Sequence, residues 1–260
     1  MTSEKENAER LSGEIAIRDL SIGYEGTAIM SQIDFTIQES EIFFIMGGSG
    51  SGKSTLLKTL VGLLPPLSGS IHYDRTDFAI AREKEKSAIL RQTGILYQGG
   101  ALFSSMNLLE NVSLPLRIHT KLREEEIKVR AQEKLTLVEL KDAAAKFPHE
   151  ISGGMIKRAG LARALALEPK ILFFDEPSAG LDPITSSNLD ETIVSIKKQL
   201  GTTVVIVSHE LASIFSIADR AVFLDAQTRK QMEVGDPNQM IEQSPHPRVR
   251  QFLKREPGNR

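Results

Sequence analysis

Hydrophobic and polar residues alternate in the first part of the chain in a way that is typical of strands. Residues 14–22 (EIAIRDLSI) and 33–37 alternate between apolar and polar positions, which predicts two half-buried strands. Residues 42–46 (IFFIM) form a continuous apolar run, as expected for a strand that is covered on both faces. Glycines follow this run, and residues 53–64 then show a helical pattern that ends before the prolines at 65–66. A strand, a glycine loop and a helix in this order predict the beginning of an α/β domain.

The second half of the chain adds helices and further apolar runs. From about 98 to 167 the pattern is helical and strongly charged, and we interpret the charge run as a solvated helix face. Three later runs have the length and composition of strands: 170–175, 202–208 and 220–225. Helical stretches near 184–200 and 210–218 separate them, so we expect a mostly parallel sheet with a helical insertion. After about Pro237 the sequence predicts a short helix and a basic tail.

Composition limits the classes of protein to which this chain can belong. It has 260 residues, of which 40% are hydrophobic and 25% charged, as in a soluble globular protein and unlike a disordered or membrane-embedded chain. No cysteine is present, so disulfides, thiolate zinc sites and cysteine nucleophiles are excluded. The formal net charge of −2 disfavours a protein that mainly binds nucleic acid. Because the N-terminus is charged and no run approaches ~18 apolar residues, we expect no signal peptide and no membrane span.

A glycine-rich loop directly follows the apolar run at 42–46. Residues Gly47–Ser54 (GGSGSGKS) match the phosphate-binding pattern G-x-x-x-x-G-K-[ST]. The glycines let backbone N–H groups wrap closely around a phosphate at the N-terminus of the following helix. Lys53 is placed to reach the β- and γ-phosphates of a nucleotide, and the Ser54 hydroxyl to bind Mg²⁺. The loop predicts nucleotide binding but leaves kinase, GTPase, motor and transporter ATPase open.

A second, acidic motif ends the run at 170–175. The sequence ILFFDEP places Asp175 and Glu176 at the end of a buried strand, where α/β sheets bind ligands. Asp175 suits a Walker B role, in which it holds Mg²⁺ through water. Glu176 could polarise the attacking water as a general base. This pair, combined with the phosphate loop, narrows the choice among nucleotide-binding proteins.

Further motifs lie in an order that resembles the ATP-binding cassette (ABC) ATPases. The sequence ISGGM at 151–155 is similar to the signature motif of that family and lies shortly before the Walker B strand. Gln98 resembles the Q-loop glutamine, SAGLD at 178–182 the D-loop, and His209 the switch histidine. Tyr24 resembles the aromatic A-loop residue that stacks on adenine. The resemblance implies an α/β fold of the P-loop NTPase class, with a RecA-like core, an antiparallel β flank and a helical subdomain.

The resemblance also implies site residues and domain boundaries. The implied catalytic residues are Glu176, His209 and Gln98. The implied Mg²⁺ ligands are Ser54, Gln98 and Asp175. The implied ATP-binding residues are Tyr24, Gly47, Gly48, Ser49, Gly50, Ser51, Gly52, Lys53, Ser54, Thr55, Ser152, Gly153, Gly154 and Asp182. We expect a loose tail at 1–12, an ABC ATPase domain at 13–235 with the helical subdomain inserted at about 98–167, and a C-terminal helix and basic tail at 236–260.

The signature motif implies a dimer. Ser152, Gly153 and Gly154 precede a helix, so their N–H groups and the serine hydroxyl form a second anion site. In the family's arrangement this site cannot fold onto the P-loop of its own chain, so two copies meet head to tail and each signature closes on the partner's γ-phosphate. The common signature is LSGGQ, and Ile151 and Met155 replace its first and last residues here. Because SGG is kept, we expect ATP-driven closure to survive, although a thioether cannot replace the amide's hydrogen bonds.

The resemblance is closer to one group of transporters. The single cassette, the short insertion and the absence of cysteine favour a separate transporter ATPase subunit. Residues 98–120, the ISGGM signature and residues 246–253 are similar to the ATPase subunit of Mla/Mce-linked phospholipid transporters, which maintain outer-membrane lipid asymmetry in Gram-negative bacteria. The similarity implies Mg-ATP hydrolysis at the cytoplasmic face of the inner membrane. A transmembrane permease, an Mce-domain lipid-binding protein and a STAS-domain subunit would be the partners.

Two alternatives and the role of the tail stay open at this point. The chain could instead serve a polar-solute importer, such as an amino-acid system, or be a non-transport ABC protein that binds nucleic acid or ribosomes. The segment SPHPRVRQFLKREPGNR holds four arginines and one lysine, and it could be a solvated tail or contact membrane headgroups. We expect it to dock onto the partner cassette, with Phe252 and Leu253 as its apolar anchor.

Overall fold

Strands and helices alternate along residues 10–255, which are the residues that this computed structural model describes. Within this range the strands are β1 (Ile15–Tyr24), β2 (Thr27–Ile37), β3 (Ile42–Gly47), β4 (Ser68–Tyr73), β5 (Thr76–Asp77), β6 (Thr93–Leu96), β7 (Ile171–Asp175), β8 (Thr203–Val207), β9 (Arg220–Asp225) and β10 (Lys230–Gly235). The helices are α1 (Lys53–Leu60), α2 (Glu83–Leu90), α3 (Leu108–His119), α4 (Glu124–Leu137), α5 (Gly153–Ala164), α6 (Pro183–Leu200), α7 (Leu211–Ile217), α8 (Pro237–Gln243) and α9 (Pro247–Lys254). No helix among these is both long and apolar enough to span a membrane.

The larger sheet has six strands, with β3 near its centre, and side chains pack against both of its faces. Its strand order is β10-β9-β3-β8-β7-β6, and all neighbouring strands are parallel except β10, which runs antiparallel to β9. Successive side chains of β3 enter two different cores. Phe44 and Met46 join the core formed with α3, α4 and α5, whereas Phe43 and Ile45 join the core that faces a second sheet. The apolar run therefore reflects burial on both faces, and the predicted mostly parallel sheet is confirmed.

The second sheet is antiparallel and has the strand order β2-β1-β4-β5. Its buried side chains Ile15, Ile17 and Ile71 lie in one core with Leu56 and Leu60 of α1. The antiparallel β flank implied by the family resemblance is thus present. These contacts hold α1 between the two sheets. The loop that precedes α1 is therefore fixed at its start by β3 and at its end by α1.

Helices α3, α4 and α5 follow β6 and precede β7. They share one core, to which Val112 of α3, Ile127 of α4 and Leu161 of α5 contribute. The start of α3 is fixed by a capping box, in which the Asn107 side chain accepts from the backbone N–H of Glu110 and the Glu110 carboxylate accepts from the backbone N–H of Asn107.

Some elements differ from the sequence-based expectation. The helix that begins at Lys53 ends at Leu60 and not at 64, since Gly62 has a φ of 75° and leaves the helical conformation. The strands β4, β5, β6 and β10 and helix α2 were not predicted. Of the α2 side chains, Ile89 alone is buried, so the sequence carries little hydrophobic periodicity there.

The predicted loose tail at 1–12 lies only partly within the described residues. Residues 1–9 lie outside the described residues. The backbone N–H of Leu11 donates to Gln92 Oε1, and the Ser12 hydroxyl donates to Asp74 Oδ1 at 2.5 Å. The prediction is therefore wrong for residues 11 and 12, because hydrogen bonds hold both to the rest of the chain.

The C-terminal segment forms a second helix, α9, that packs on its own chain. Val249 and Leu253 are buried in the main core, and the Phe252 ring lies 5.1 Å from that of Phe223 on β9. Arg248 adds an ion pair of 2.7 Å with Asp225. Leu253 is therefore unavailable as an anchor on a partner cassette, because this chain's own core covers it. Phe252 is only partly buried, and the expected docking of the tail on a partner stays a prediction. Residues 256–260 of the predicted basic tail lie outside the described residues.

We expect Leu253→Ala to lower the free energy of unfolding by about 2–4 kcal/mol, because it leaves a cavity beneath α9. The matched control is Ile80→Ala, since Ile80 is 83% exposed whereas Leu253 is 2% exposed. We expect the control to change stability by less than about 0.5 kcal/mol. Unfolding in guanidinium chloride measures both, and equal midpoints for the two variants would contradict the docking of α9.

Gly47, at the end of β3, supports a second prediction. Its φ is 154°, and a Cβ atom at this position would lie 2.3 Å from the carbonyl oxygen of Leu224. Gly47→Ala should lower the free energy of unfolding by about 2–4 kcal/mol without nucleotide. At Gly48 a Cβ atom meets nothing within 4 Å, so Gly48→Ala should unfold at the wild-type midpoint in the same assay.

Candidate active site

The ends of three parallel strands bring the predicted site residues to one edge of the sheet. In the register of the sheet, Ile45 of β3 and Asp175 of β7 both lie opposite Val207 of β8. The residues that follow these strands are therefore neighbours: the loop after Gly47, the carboxylate of Glu176, and Ser208 with the next residue, His209. Ligands bind at this edge in open α/β sheets because the loops there diverge and leave a crevice.

The loop from Gly47 to Ser54 lies between β3 and α1. Gly47, Gly50 and Gly52 have φ values of 154°, 74° and 78°, which residues with a Cβ rarely adopt. The Lys53 ammonium donates to the carbonyl oxygens of Gly47 and Gly48, both at 2.9 Å, so it lies across the loop. The remaining predicted phosphate-binding residues of the loop, Ser49, Ser51 and Thr55, lie on the same turn and the start of α1. This backbone is shaped to surround an anion.

Lys53 and the two carboxylates influence each other electrostatically. Burial lowers the pKa of Lys53, and the charges of Glu176 and Asp175 oppose this shift. Burial also raises the pKa of Asp175, an effect strengthened by the neighbouring Glu176 and opposed by the Ser54 hydroxyl and two lysines. Each of these charged forms is thus poorly solvated. A phosphate beside Lys53 or a cation beside Asp175 would stabilise it.

Ser54 and Asp175 could hold a divalent cation. The Ser54 Oγ lies 3.5 Å from Asp175 Oδ1, so a hydroxyl and a carboxylate oxygen face the same space. Oxygen ligands of this kind suit Mg²⁺, which usually keeps several waters and binds substrate phosphates. No group of three or more acidic or histidine side chains in the described part of the chain could bind a metal by itself. The site fits a cation that arrives with a nucleotide.

Glu176 has an unusual backbone and a defined partner. Its φ is 47°, in the left-handed region that is costly for a residue with a Cβ, and its N–H donates to the carbonyl of Val207 at 2.9 Å. Glu176 Oε1 lies 2.8 Å from His209 Nδ1. The Ser208 hydroxyl lies 3.4 Å from Oε2. The carboxylate is thus held on one side by the imidazole, while Oε2 has only a long contact.

Tyr24 and Gln98 are exposed, and neither side chain makes a hydrogen bond within residues 10–255. Tyr24 ends β1 opposite Thr27, at the turn into β2. The next residues of β2 approach the phosphate loop, since a Cβ atom at Gly52 would lie 2.7 Å from the Met30 side chain. Gln98 follows β6, the neighbour of β7, and so lies beyond the same sheet edge as Asp175. The structure brings their segments to the site without direct contacts.

The signature residues begin helix α5, and no hydrogen bond in the described chain joins them to the phosphate loop. Ser152 is the N-cap, and its hydroxyl accepts from the backbone N–H of Met155 at 3.3 Å. Ser152 and Gly153 are exposed. Asp182, predicted to bind ATP, caps α6 by accepting from the N–H groups of Ile184 and Thr185. Sequence reasoning did not identify this capping role.

Two cations of α5, the buried Lys157 and the partly buried Arg163, were also missed. The Lys157 ammonium donates to the carbonyl oxygens of Pro177 and Ala179, beside the D-loop. Arg163 donates to the carbonyls of Gly100 and Ala101, beyond Gln98. Their position among small and apolar residues in the sequence IKRAGLARALAL was the available signal, because such a helix is largely buried.

Comparison with known proteins connects this geometry to a family. Residues 30–179 match the ABC transporter family. The probable ribonucleotide transport ATP-binding protein mkl of Mycobacterium tuberculosis (strain ATCC 25618 / H37Rv) is 43% identical over 92% of this chain, which spans only 66% of that protein's length. The intermembrane phospholipid transport system ATP-binding protein MlaF of Escherichia coli (strain K12) is 39% identical over 92% of this chain and 88% of its own.

Solved structures agree with these relatives. The cbiO1 protein of Clostridium perfringens, part of the ABC transporter complex cbiONQ, has a TM-score of 0.81 and 30% identity, covering 90% of this chain and 92% of its own. The bacterial ABC transporter cassette MJ0796, solved as a dimer, has a TM-score of 0.77 and 29% identity over 85% of this chain and 98% of its own. A post-hydrolysis dimer of MJ0796 contains ADP and Pi. With its ABC ATPase fold, this chain belongs to the ABC transporter family as an ATP-binding protein.

Proposed function

We propose that this chain is the ATPase subunit of an ABC system that transports phospholipid through a separate permease. The observation that carries the proposal is its similarity to MlaF, which is 39% identical and extends over 88% of that protein. The mkl relative has a higher identity, 43%, but the chain spans 66% of its length. Full-length similarity is the better guide to a shared assembly, because segments that contact partner subunits must be present in both proteins.

The proposed reaction follows from the arrangement around Glu176. Oε2, which has only the long contact with Ser208, accepts a proton from water while the water oxygen attacks the γ-phosphorus. His209 orients the carboxylate through Oε1. The bond to the β–γ bridging oxygen then breaks and ADP leaves. Lys53 and the loop N–H groups stabilise the negative charge of the phosphates.

Mg²⁺ is a proposed cofactor at Ser54 and Asp175. When bound, it neutralises charge on the β- and γ-phosphate oxygens. Asp175 contributes a half-buried carboxylate whose pKa is raised by burial, and a cation would reverse this effect. Gln98, beyond the end of β6, is the proposed third ligand, and Tyr24 the proposed adenine contact.

A head-to-tail dimer is the proposed working form. The exposed N-terminus of α5 presents the N–H groups of Gly153 and Gly154, together with the Ser152 hydroxyl, as an anion site. In the described chain this site has no bond to its own phosphate loop, so a second copy would complete it. The dimeric structures of MJ0796 support this arrangement. Met155 does not interrupt the helix start, because its N–H is satisfied by Ser152.

A groove between α2 and α3 supports a permease partner at the cytoplasmic face of the inner membrane. The cavity measures about 640 Å³, and its lining includes Phe78, Leu90 and Pro115. Ile80, next to Phe78, and Ile118 on α3 are among the most exposed large apolar side chains in the described chain. Apolar surface of this kind marks interaction sites. An Mce-domain protein and a STAS-domain subunit are the further proposed partners, through the similarity to MlaF.

The second candidate is an importer of polar solutes. The name of the mkl protein, a probable ribonucleotide transport ATP-binding protein, favours it. The catalytic arrangement would be the same, because the transported substrate does not touch the ATPase site.

We expect Glu176→Gln to reduce kcat for ATP hydrolysis by about 10²–10⁴-fold, because an amide cannot accept the proton from water. ATP binding should be retained, and ATP should trap a dimer visible by size-exclusion chromatography with light scattering. Glu210→Gln is the matched control, since Glu210 is a nearby carboxylate that pairs with Arg255 outside the site. Undiminished turnover in Glu176→Gln would exclude Glu176 as the base.

The transported substrate can be tested through the partners of the chain. An affinity-tagged chain, purified in detergent from its native membranes, should carry a permease and an Mce-domain protein that holds phospholipid detectable by mass spectrometry. Purification of the Lys53→Ala variant controls for assembly that depends on ATP binding. Recovery of a permease with a periplasmic solute-binding protein, and no bound lipid, would support the polar-solute importer instead.

A further inference from the structure

Lys157 is a buried cation whose partners are backbone carbonyls near the catalytic carboxylate. The residue is 6% exposed. Its Nζ donates to the carbonyl oxygen of Pro177 at 2.6 Å and to that of Ala179 at 2.5 Å. Both carbonyls belong to the short segment between Glu176 and α6. An ammonium has three donors, and these two charge-assisted bonds compensate for part of the cost of its burial.

The segment that Lys157 holds makes few other hydrogen bonds within the described part of the chain. It consists of turns and includes Gly180 with a φ of 76°, so it cannot form a regular ladder of hydrogen bonds. Within the segment, the N–H of Ala179 donates to the carbonyl of Glu176, and that of Leu181 to the carbonyl of Ser178. The ammonium of Lys157 is the side-chain donor that connects this segment to α5. The position of Glu176 relative to α5 therefore depends on it.

Electrostatics agree with this geometry. Burial lowers the pKa of Lys157, and the negative charge of Glu176 opposes the shift. The ammonium is thus close enough to the catalytic carboxylate to feel its charge.

The start of α5 is also packed tightly against the end of the same segment. A Cβ atom at Gly154 would lie 2.6 Å from the Thr185 side chain in the first turn of α6. Asp182 fixes that turn by accepting from the N–H of Thr185. The signature residues and the segment after Glu176 are therefore in contact at one end and joined by Lys157 one turn further along α5. A displacement of the signature residues must therefore act on both connections, the one at Thr185 and the one through Lys157.

We propose that Lys157 is a positioning residue that couples the two ATP sites of the dimer. When the signature of one chain closes on the nucleotide of the other, α5 moves as a unit, and Lys157 carries the segment after Glu176 into its catalytic position. Each chain thereby activates its own carboxylate in response to the nucleotide bound by its partner. This role rests on the head-to-tail dimer of the proposed function.

The test compares Lys157→Met and Lys157→Arg with a matched control, Lys134→Met. Lys134 is 8% exposed on α4 and bonds to Glu168, remote from the ATP site. In Lys157→Met we expect kcat to fall about tenfold with KM for ATP within about twofold, and the Hill coefficient for ATP to decrease toward unity. Lys157→Arg should restore most of kcat and of the cooperativity, because a guanidinium can donate to both carbonyls. Lys134→Met should behave as wild type in both quantities.

A loss of stability is separated from a loss of coupling by hydrogen exchange and by ATP-driven dimerisation. Amide protection of residues 177–182 should fall in Lys157→Met while protection of β3 and β7 stays unchanged. If Lys157→Met does not fold, Lys157→Arg alone tests the role. Loss of cooperativity in Lys157→Arg, with amide exchange of residues 177–182 as in the wild type, would then contradict it. Equal kcat and cooperativity in Lys157→Met and Lys134→Met would overturn it and leave the dimer intact. Failure of Glu176→Gln to dimerise with ATP would overturn the dimer itself, and this role with it.

Discussion

The parallel pairing of β3 with β8, and of β8 with β7, is the constraint on which the site depends. Parallel neighbours end at the same edge of a sheet, so one hydrogen-bonding pattern aligns the phosphate loop, Asp175, Glu176 and His209. The burial of β3 in two cores disfavours a shift of register, because a slip of one residue would exchange the side chains that fill one core with those that fill the other. Packing far from the nucleotide site thus determines the hydrogen-bond distances between side chains at the catalytic edge, such as that between Glu176 and His209.

Helix α5 adds a second level of organisation. Its first residues form the exposed signature, Lys157 holds the segment after Glu176, and Arg163 holds the segment after Gln98. Both cations are desolvated, since burial lowers the pKa of each. Within residues 10–255, both are bound by backbone carbonyls and by no carboxylate. Carbonyl partners fix the path of the backbone itself, which a side-chain ion pair would not do. A movement of α5 can therefore be transmitted to two loops at the catalytic edge, through Lys157 and through Arg163.

The sequence predicted the parts of the structure that local pattern determines. The runs IFFIM and ILFFD are buried strands that end sharply, and both they and the glycine loop between β3 and α1 lie where they were expected. Helix α2 and strand β10 were missed because their side chains are only partly buried, which weakens the periodicity. The burial of Leu253 in the chain's own core was not predicted, because the space beneath α9, beside Phe223, is formed only by the fold. The partners of Lys157 are backbone carbonyls, which every residue has, so the sequence does not indicate where they are.

The strand order has a consequence for how the chain is made. Ile42 of β3 pairs with Val204, and Phe43 with Arg220, so β3 leaves the ribosome long before either neighbouring strand exists. During that interval the strands of the antiparallel sheet can pair with one another, because they are close in the sequence. The apolar strand β3 has no neighbouring strand with which to pair. The phosphate loop attached to β3 cannot take its final shape until β8 and β9 arrive. The nascent chain therefore acquires nucleotide binding only after the residues of β9, up to Asp225, have been made.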